Sequence, residues 1–95
     1  MLNFSFSDIK FTRNSSGPGV VVAGEIHNQM GNNFSSVAFR LTIFLRNTVL
    51  ANATVVINAF PARQSRTFEK TIDDINYVDG LEKALRCEIY PESAY

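Results

Sequence analysis

Val37-Ala38-Phe39-Arg40-Leu41-Thr42-Ile43-Phe44-Leu45 decides the fold. Val37, Phe39, Leu41, Ile43 and Leu45 are apolar at every second position, opposed by Ala38, Arg40, Thr42, Phe44 and Arg46. Side chains of an extended chain alternate between faces, so a period of two describes a strand with one face buried and the other turned outward. Its regularity predicts the central strand of the core. Nowhere else does an apolar i, i+3, i+4, i+7 pattern persist for several turns, which leaves room for no more than a short helical insertion.

The same period extends in both directions. Upstream, Val20, Val22, Gly24 and Ile26 form an inward set against Val21, Ala23, Glu25 and His27, and Asn28-Gln29-Met30-Gly31-Asn32-Asn33 closes that strand. Before it, Leu2, Phe4 and Phe6 share one face and the phase then shifts to Ile9 and Phe11. The shift predicts a bulge near Ser7-Asp8, a kink that would let the first strand pass from one sheet to the other. Arg13-Asn14-Ser15-Ser16-Gly17-Pro18-Gly19 is a turn cluster, since Gly accepts positive φ, Pro lacks a donor, and Asn and Ser bond turn backbone locally.

Downstream, Arg46-Asn47-Thr48 is short enough for a tight hairpin in which Asn47 takes positive φ. Val49, Ala51, Ala53, Val55 and Ile57 then face inward until Phe60-Pro61 ends the strand. A fifth strand turns Phe68 and Ile72 in. Residues 73–80 are irregular, with one helical turn expected near Leu81-Glu82. In a last strand Leu85, Cys87 and Ile89 point inward and Ala84, Arg86, Glu88 and Tyr90 outward, before Pro91 stops it. Six or seven strands with no helix to cover a sheet predict an all-β chain, an immunoglobulin-like antiparallel β-sandwich occupying residues 1–95 as one domain.

Composition agrees with that expectation and narrows the partners. The chain has 95 residues, enough for one core, and 45% of them are hydrophobic, enough to offset chain entropy. Nine basic residues balance nine acidic ones and are scattered along the chain, so nothing in the charge favours nucleic acid. The apolar run at residues 20–23 is far below the roughly 20 residues of a membrane-spanning helix. The N-terminus lacks the basic start and apolar stretch of a secretory signal, which leaves two expectations open: a cytoplasmic protein, or an exported one whose leader lies outside this sequence. Four Asn-x-Ser/Thr triplets, at Asn3, Asn14, Asn33 and Asn52, are frequent by chance in a chain rich in those residues.

Val22-Ala23-Gly24-Glu25-Ile26-His27-Asn28 resembles the second strand of the bacterial FxLYD domains, an immunoglobulin-like family. Phe34-Ser35-Ser36-Val37-Ala38-Phe39 resembles the segment entering that family's third strand. Leu41-Thr42-Ile43-Phe44-Leu45 falls on its naming motif, and residues 49–54 resemble the strand that follows. The chain departs from the motif at its end, where Leu45 stands in place of an acidic residue and Ile43-Phe44 in place of Leu-Tyr. The resemblance implies a bacterial, envelope-associated or surface-exposed module attached to other domains or to an anchor, and it brings no catalytic residues with it.

Chemistry-bearing residues are few. His27, the one histidine, is expected at the outer end of the second strand as an ordinary surface residue. Cys87, the one cysteine, excludes an intrachain disulfide and is expected as a buried, unreactive thiol. One Cys and one His leave a tetrahedral zinc site short of ligands. Asp73, Asp74, Asp79 and Glu82 lie close to Gly80 but without the alternating spacing of a calcium loop, and are read first as a solvated loop. No catalytic, cofactor or metal residues are therefore assigned, and no enzymatic activity is expected. The candidate contact residues are Phe44 and Arg46 on the outer side of the best strand, with Phe34 and Tyr77 placed in loops. The function expected is that of a structural or protein-interaction module, binding a protein partner or a second copy through a sheet edge or outer face. The other reading is a ligand-binding module that holds a glycan or a calcium ion in the loops after Asn28 and around Asp73.

Overall fold

The computed structural model describes residues 2–95, which form six strands and one short 3-10 turn. The strands are β1 (Phe4–Arg13), β2 (Val20–Asn28), β3 (Phe34–Leu45), β4 (Thr48–Phe60), β5 (Ser65–Ile72) and β6 (Leu85–Ala94). All ladders are antiparallel, in two three-stranded sheets ordered β1-β2-β5 and β4-β3-β6. Packed face to face, they make the expected β-sandwich, with β2 and β3 as the central strands. The 3-10 turn covers Leu81–Lys83, where a helical turn was expected.

The alternation in β3 sets the core. Val37, Phe39, Leu41 and Ile43 are fully buried, each removal from water contributing roughly 1.5–3 kcal/mol. Facing them across the sandwich, Val20, Val22 and Ile26 of β2 are equally buried. One end is filled by aromatic rings. Phe4 meets Phe39 edge-on at 5.1 Å and lies tilted against Phe60 at 5.5 Å, and Phe6 meets Phe39 edge-on at 5.9 Å. Edge-to-face pairs of this kind add to simple burial because the positive ring edge meets a negative ring face.

The expected bulge in β1 is present. Ser7 pairs with Glu25 and Lys10 with Ala23, so Asp8 and Ile9 together oppose Gly24, and Asp8 takes φ 56°. The extra residue brings Ile9 back to the inner face. β1 pairs with β2 on both sides of the bulge, so the kink restores phase within one sheet and does not carry the strand to the other.

Three further expectations are corrected. In the hairpin, positive φ falls on Arg46, at 59°, and not on Asn47. Ile43 then pairs with Ala51 and Phe44 with Val49, leaving Leu50 as an extra residue. Leu50 therefore turns toward the core, and Val49, expected inward, is 50% exposed. A second left-handed residue, Ala59 at φ 56°, changes the phase again so that Phe60 is buried. Finally, Pro91 does not end the last strand, which continues to Ala94. β6 is an edge strand, where a residue without an N–H is tolerated, and Glu92 forms a bulge beside it between the Phe39–Pro91 and Ala38–Ser93 pairs.

Asn28 is the one fully buried polar residue among those described, and both ends of its amide are bonded. Its amide donates to the carbonyls of Asn32 at 2.9 Å and Pro61 at 3.1 Å, while its oxygen accepts from the Met30 N–H at 2.9 Å. It caps the turn after β2, as its residue type suggested, and also clamps that turn to the β4–β5 connection.

Candidate functional site

The two outer faces differ in chemistry. That of the first sheet is polar, with cross-strand rows such as Ser5, His27, Ser65 and Ser7, Glu25, Thr67. The His27 Nδ1 and Ser65 Oγ lie 2.8 Å apart, but no carboxylate hydrogen-bonds the imidazole among the described residues, so the pair lacks the third group that would orient a base. An open groove of about 470 Å³ crosses this face between Asp8, Lys10, Glu25, Thr67 and Glu69.

The outer face of the second sheet holds apolar surface. Phe44 sits in a cross-strand row with Val49 and Arg86, and the Arg86 guanidinium lies 4.3 Å from the Phe44 ring centre. A cation over a ring face is attracted by the ring quadrupole, and here it also shields the ring from water. Arg86 is held in turn by Glu88 at 2.6 Å. Toward the other end, Ala38 joins Val56, and Arg40 joins Tyr90. Val56 is 54% exposed and Tyr90 49% exposed. Between them Arg40 is paired with Glu92, and Thr42 donates to Asn52 at 3.0 Å.

The candidate contact residues separate on this frame. Phe44 faces outward as its phase required and shares its sheet face with Val56, whereas Val21 and Ala23 belong to the opposite sheet. Arg46 is exposed at the hairpin tip. Phe34 is not in a loop: it is the first residue of β3, pairs with Phe60 and packs against Phe4 at 6.0 Å, half-buried at the far end from Phe44. Tyr77 does lie in the β5–β6 connection, but packs against the core beneath the Arg13 guanidinium, 5.8 Å from its ring centre. Its hydroxyl donates to Glu82, which draws the Glu82 carboxyl below its ordinary range and raises the Tyr77 phenol. Of the other exposed residues on this face, Val56 was an expected neighbour of Phe44 and Tyr90 was expected outward, whereas Val49 was expected inward; the adjacent pair Val55-Val56 signals the first, since neighbours on a strand cannot both face inward.

Among the described residues, no three His, Cys, Asp or Glu side chains come together in a way that could hold a metal. Cys87 is half-buried rather than buried, because β6 is an edge and its inner face is only partly covered. Loss of solvation pushes its thiol up to about 11, with Glu88 adding to the shift. No described helix is long and apolar enough to cross a membrane. Compared with protein-family models, curated proteins and solved structures, the chain matches none of them.

Proposed function

We propose that this chain is a non-enzymatic structural or protein-interaction module of a bacterial envelope-associated or multidomain protein, working through a sheet edge or through the outer face of the second sheet. One observation carries the reading: Val49, Val56 and Tyr90, exposed by half or more or nearly so, share a single sheet face with Phe44 and Arg86. Tyrosine and arginine dominate protein contacts because each offers a large area and a polar handle at modest entropic cost. The bacterial and envelope setting is supported by the resemblance of residues 22–28 and 34–54 to the FxLYD domains.

Removing the aromatic anchors tests this. With Phe44→Ala and Tyr90→Ala combined, retention of partner protein from an envelope fraction of the source cells should weaken by about tenfold, the equivalent of about 1.4 kcal/mol. The circular dichroism spectrum should stay that of a folded sheet protein. Unchanged retention of partner protein in pull-down counts against the proposal.

A further inference from the structure

A two-sheet sandwich of this kind has four edge strands, and three of them obstruct the addition of another strand. β1 carries the Asp8 bulge and Lys10. β6 carries Pro91 and the Glu92 bulge. β5 is short, eight residues, and bears Arg66, Glu69 and Lys70. These are the usual devices by which edges avoid pairing with other chains. Within residues 51–58 β4 has none of them, its bulge at Leu50 lying outside that stretch. It is the longest strand, 13 residues, without a charged residue or a proline. Residues 51–58 pair with β3 without interruption between the irregularities at Leu50 and Ala59. On its other side no ladder partner is present among the described residues, and an open groove of about 350 Å³ separates Asn52, Ala53 and Thr54 from Lys70 and Asp73.

We propose that β4 is the docking edge for a second copy of this chain, added antiparallel to itself about a two-fold axis within residues 54–55, so that two three-stranded sheets become one of six strands. The proposal rests on the interaction reading above and names its surface and partner. Antiparallel self-pairing sets a segment against its own reverse, and the common obstacle is like charge meeting like charge. Residues 48–60 contain no charge, so the two paired strands bring no like charges together, and the flanking groove holds charges of both signs, Lys70 with Asp73 and Asp74. Around the axis, Thr54 and Val56 fall opposite or diagonal to each other, the β-branched cross-strand pairs that stabilise sheets. A foreign strand would be distinguished by pockets or charges along the edge. Residues 51–58 themselves offer mainly small and β-branched side chains, which a copy matches by symmetry.

Sedimentation equilibrium of the full chain, from micromolar to millimolar concentration, tests the proposal with Thr54→Lys, Thr54→Asp and an equimolar mixture of the two. Thr54 is exposed, so both variants should keep the wild-type spectrum and unfolding transition. The wild type should dimerise, each variant alone should raise the dissociation constant at least tenfold, and the mixture should recover dimer by pairing opposite charges. A wild type that stays monomeric, or a dimer that both single variants retain, overturns it. If that retained dimer is lost on Phe44→Ala with Tyr90→Ala, the interface is the outer face and the interaction reading stands. If the chain neither dimerises nor retains a partner, both readings fall.

Discussion

Glycines 19 and 24 show how far a residue type can be read in advance and where reading stops. Gly19 follows Pro18 in the turn cluster, and its φ of 95° is the left-handed conformation expected there. A Cβ at Gly19 would also lie 2.2 Å from the Ile72 carbonyl oxygen, a backbone atom that cannot move aside. Gly24, a member of the inward set of β2, is crowded by side chains and not by backbone. A Cβ there would meet Ile9 Cδ1 at 2.4 Å and Phe68 Cε1 at 3.0 Å, both side-chain atoms. Gly19→Ala should therefore cost roughly 3 kcal/mol, and Gly24→Ala about 1–2 kcal/mol because Ile9 can shift. Adding Ile9→Val, which removes Cδ1, should recover part of the second loss but none of the first. Urea unfolding midpoints of the single and double variants check the order.

At the scale of the element, the strands were legible and their irregularities only partly so. The β1 bulge showed in the sequence because Phe6 and Ile9 break the period of two. The β4 irregularities did not, because Val49 and Leu50 are both apolar and either could be the one turned inward. The hairpin was misread for a related reason: Asn47 is the residue type suited to positive φ, yet the register set by the Leu50 bulge places it on Arg46. Arg46→Gly should accordingly raise stability by about 0.5–1 kcal/mol, as left-handed strain is relieved at some cost in chain entropy. Asn47→Gly should give no gain. Thermal unfolding of the two variants separates them, and equal effects would mean that the strain is shared across the turn.

At the scale of the molecule, the incomplete cover of the edges governs both surface chemistry and response to pH. Cys87 lies on the inner side of an edge strand, where partial burial raises its thiol from an ordinary value of 9.0 to about 11. The unfolded chain loses this proton first as pH rises, so the contribution to stability is complete below pH 9 and is lost as pH approaches about 11. Tyr77, raised by its bond to Glu82, changes stability in the same direction. Cys87→Ala isolates the thiol. The stability difference between wild type and this variant should shrink over that alkaline window in denaturant titrations; a constant difference would show that the folded thiol ionises no later than the unfolded one.

That the chain is all-β, which faces of β2 and β3 turn inward, where β1 bulges and where the turns fall are all legible in the amino-acid order. These follow from a covalent fact: successive side chains of an extended chain point to opposite sides, so burial leaves a period of two that local inspection recovers. Beyond β3, whose regularity marked it as central, only the fold settled which strands are inner and which are edges. It therefore also decided that Pro91 is tolerated, that Cys87 is only half covered, that Phe34 belongs to the aromatic end of the core, and that Arg86 lies over Phe44. Each depends on pairing between segments far apart in the chain. Backbone ladders are made by the same N–H and C=O groups whatever the side chains, so local sequence cannot name the partner strand or the side left open.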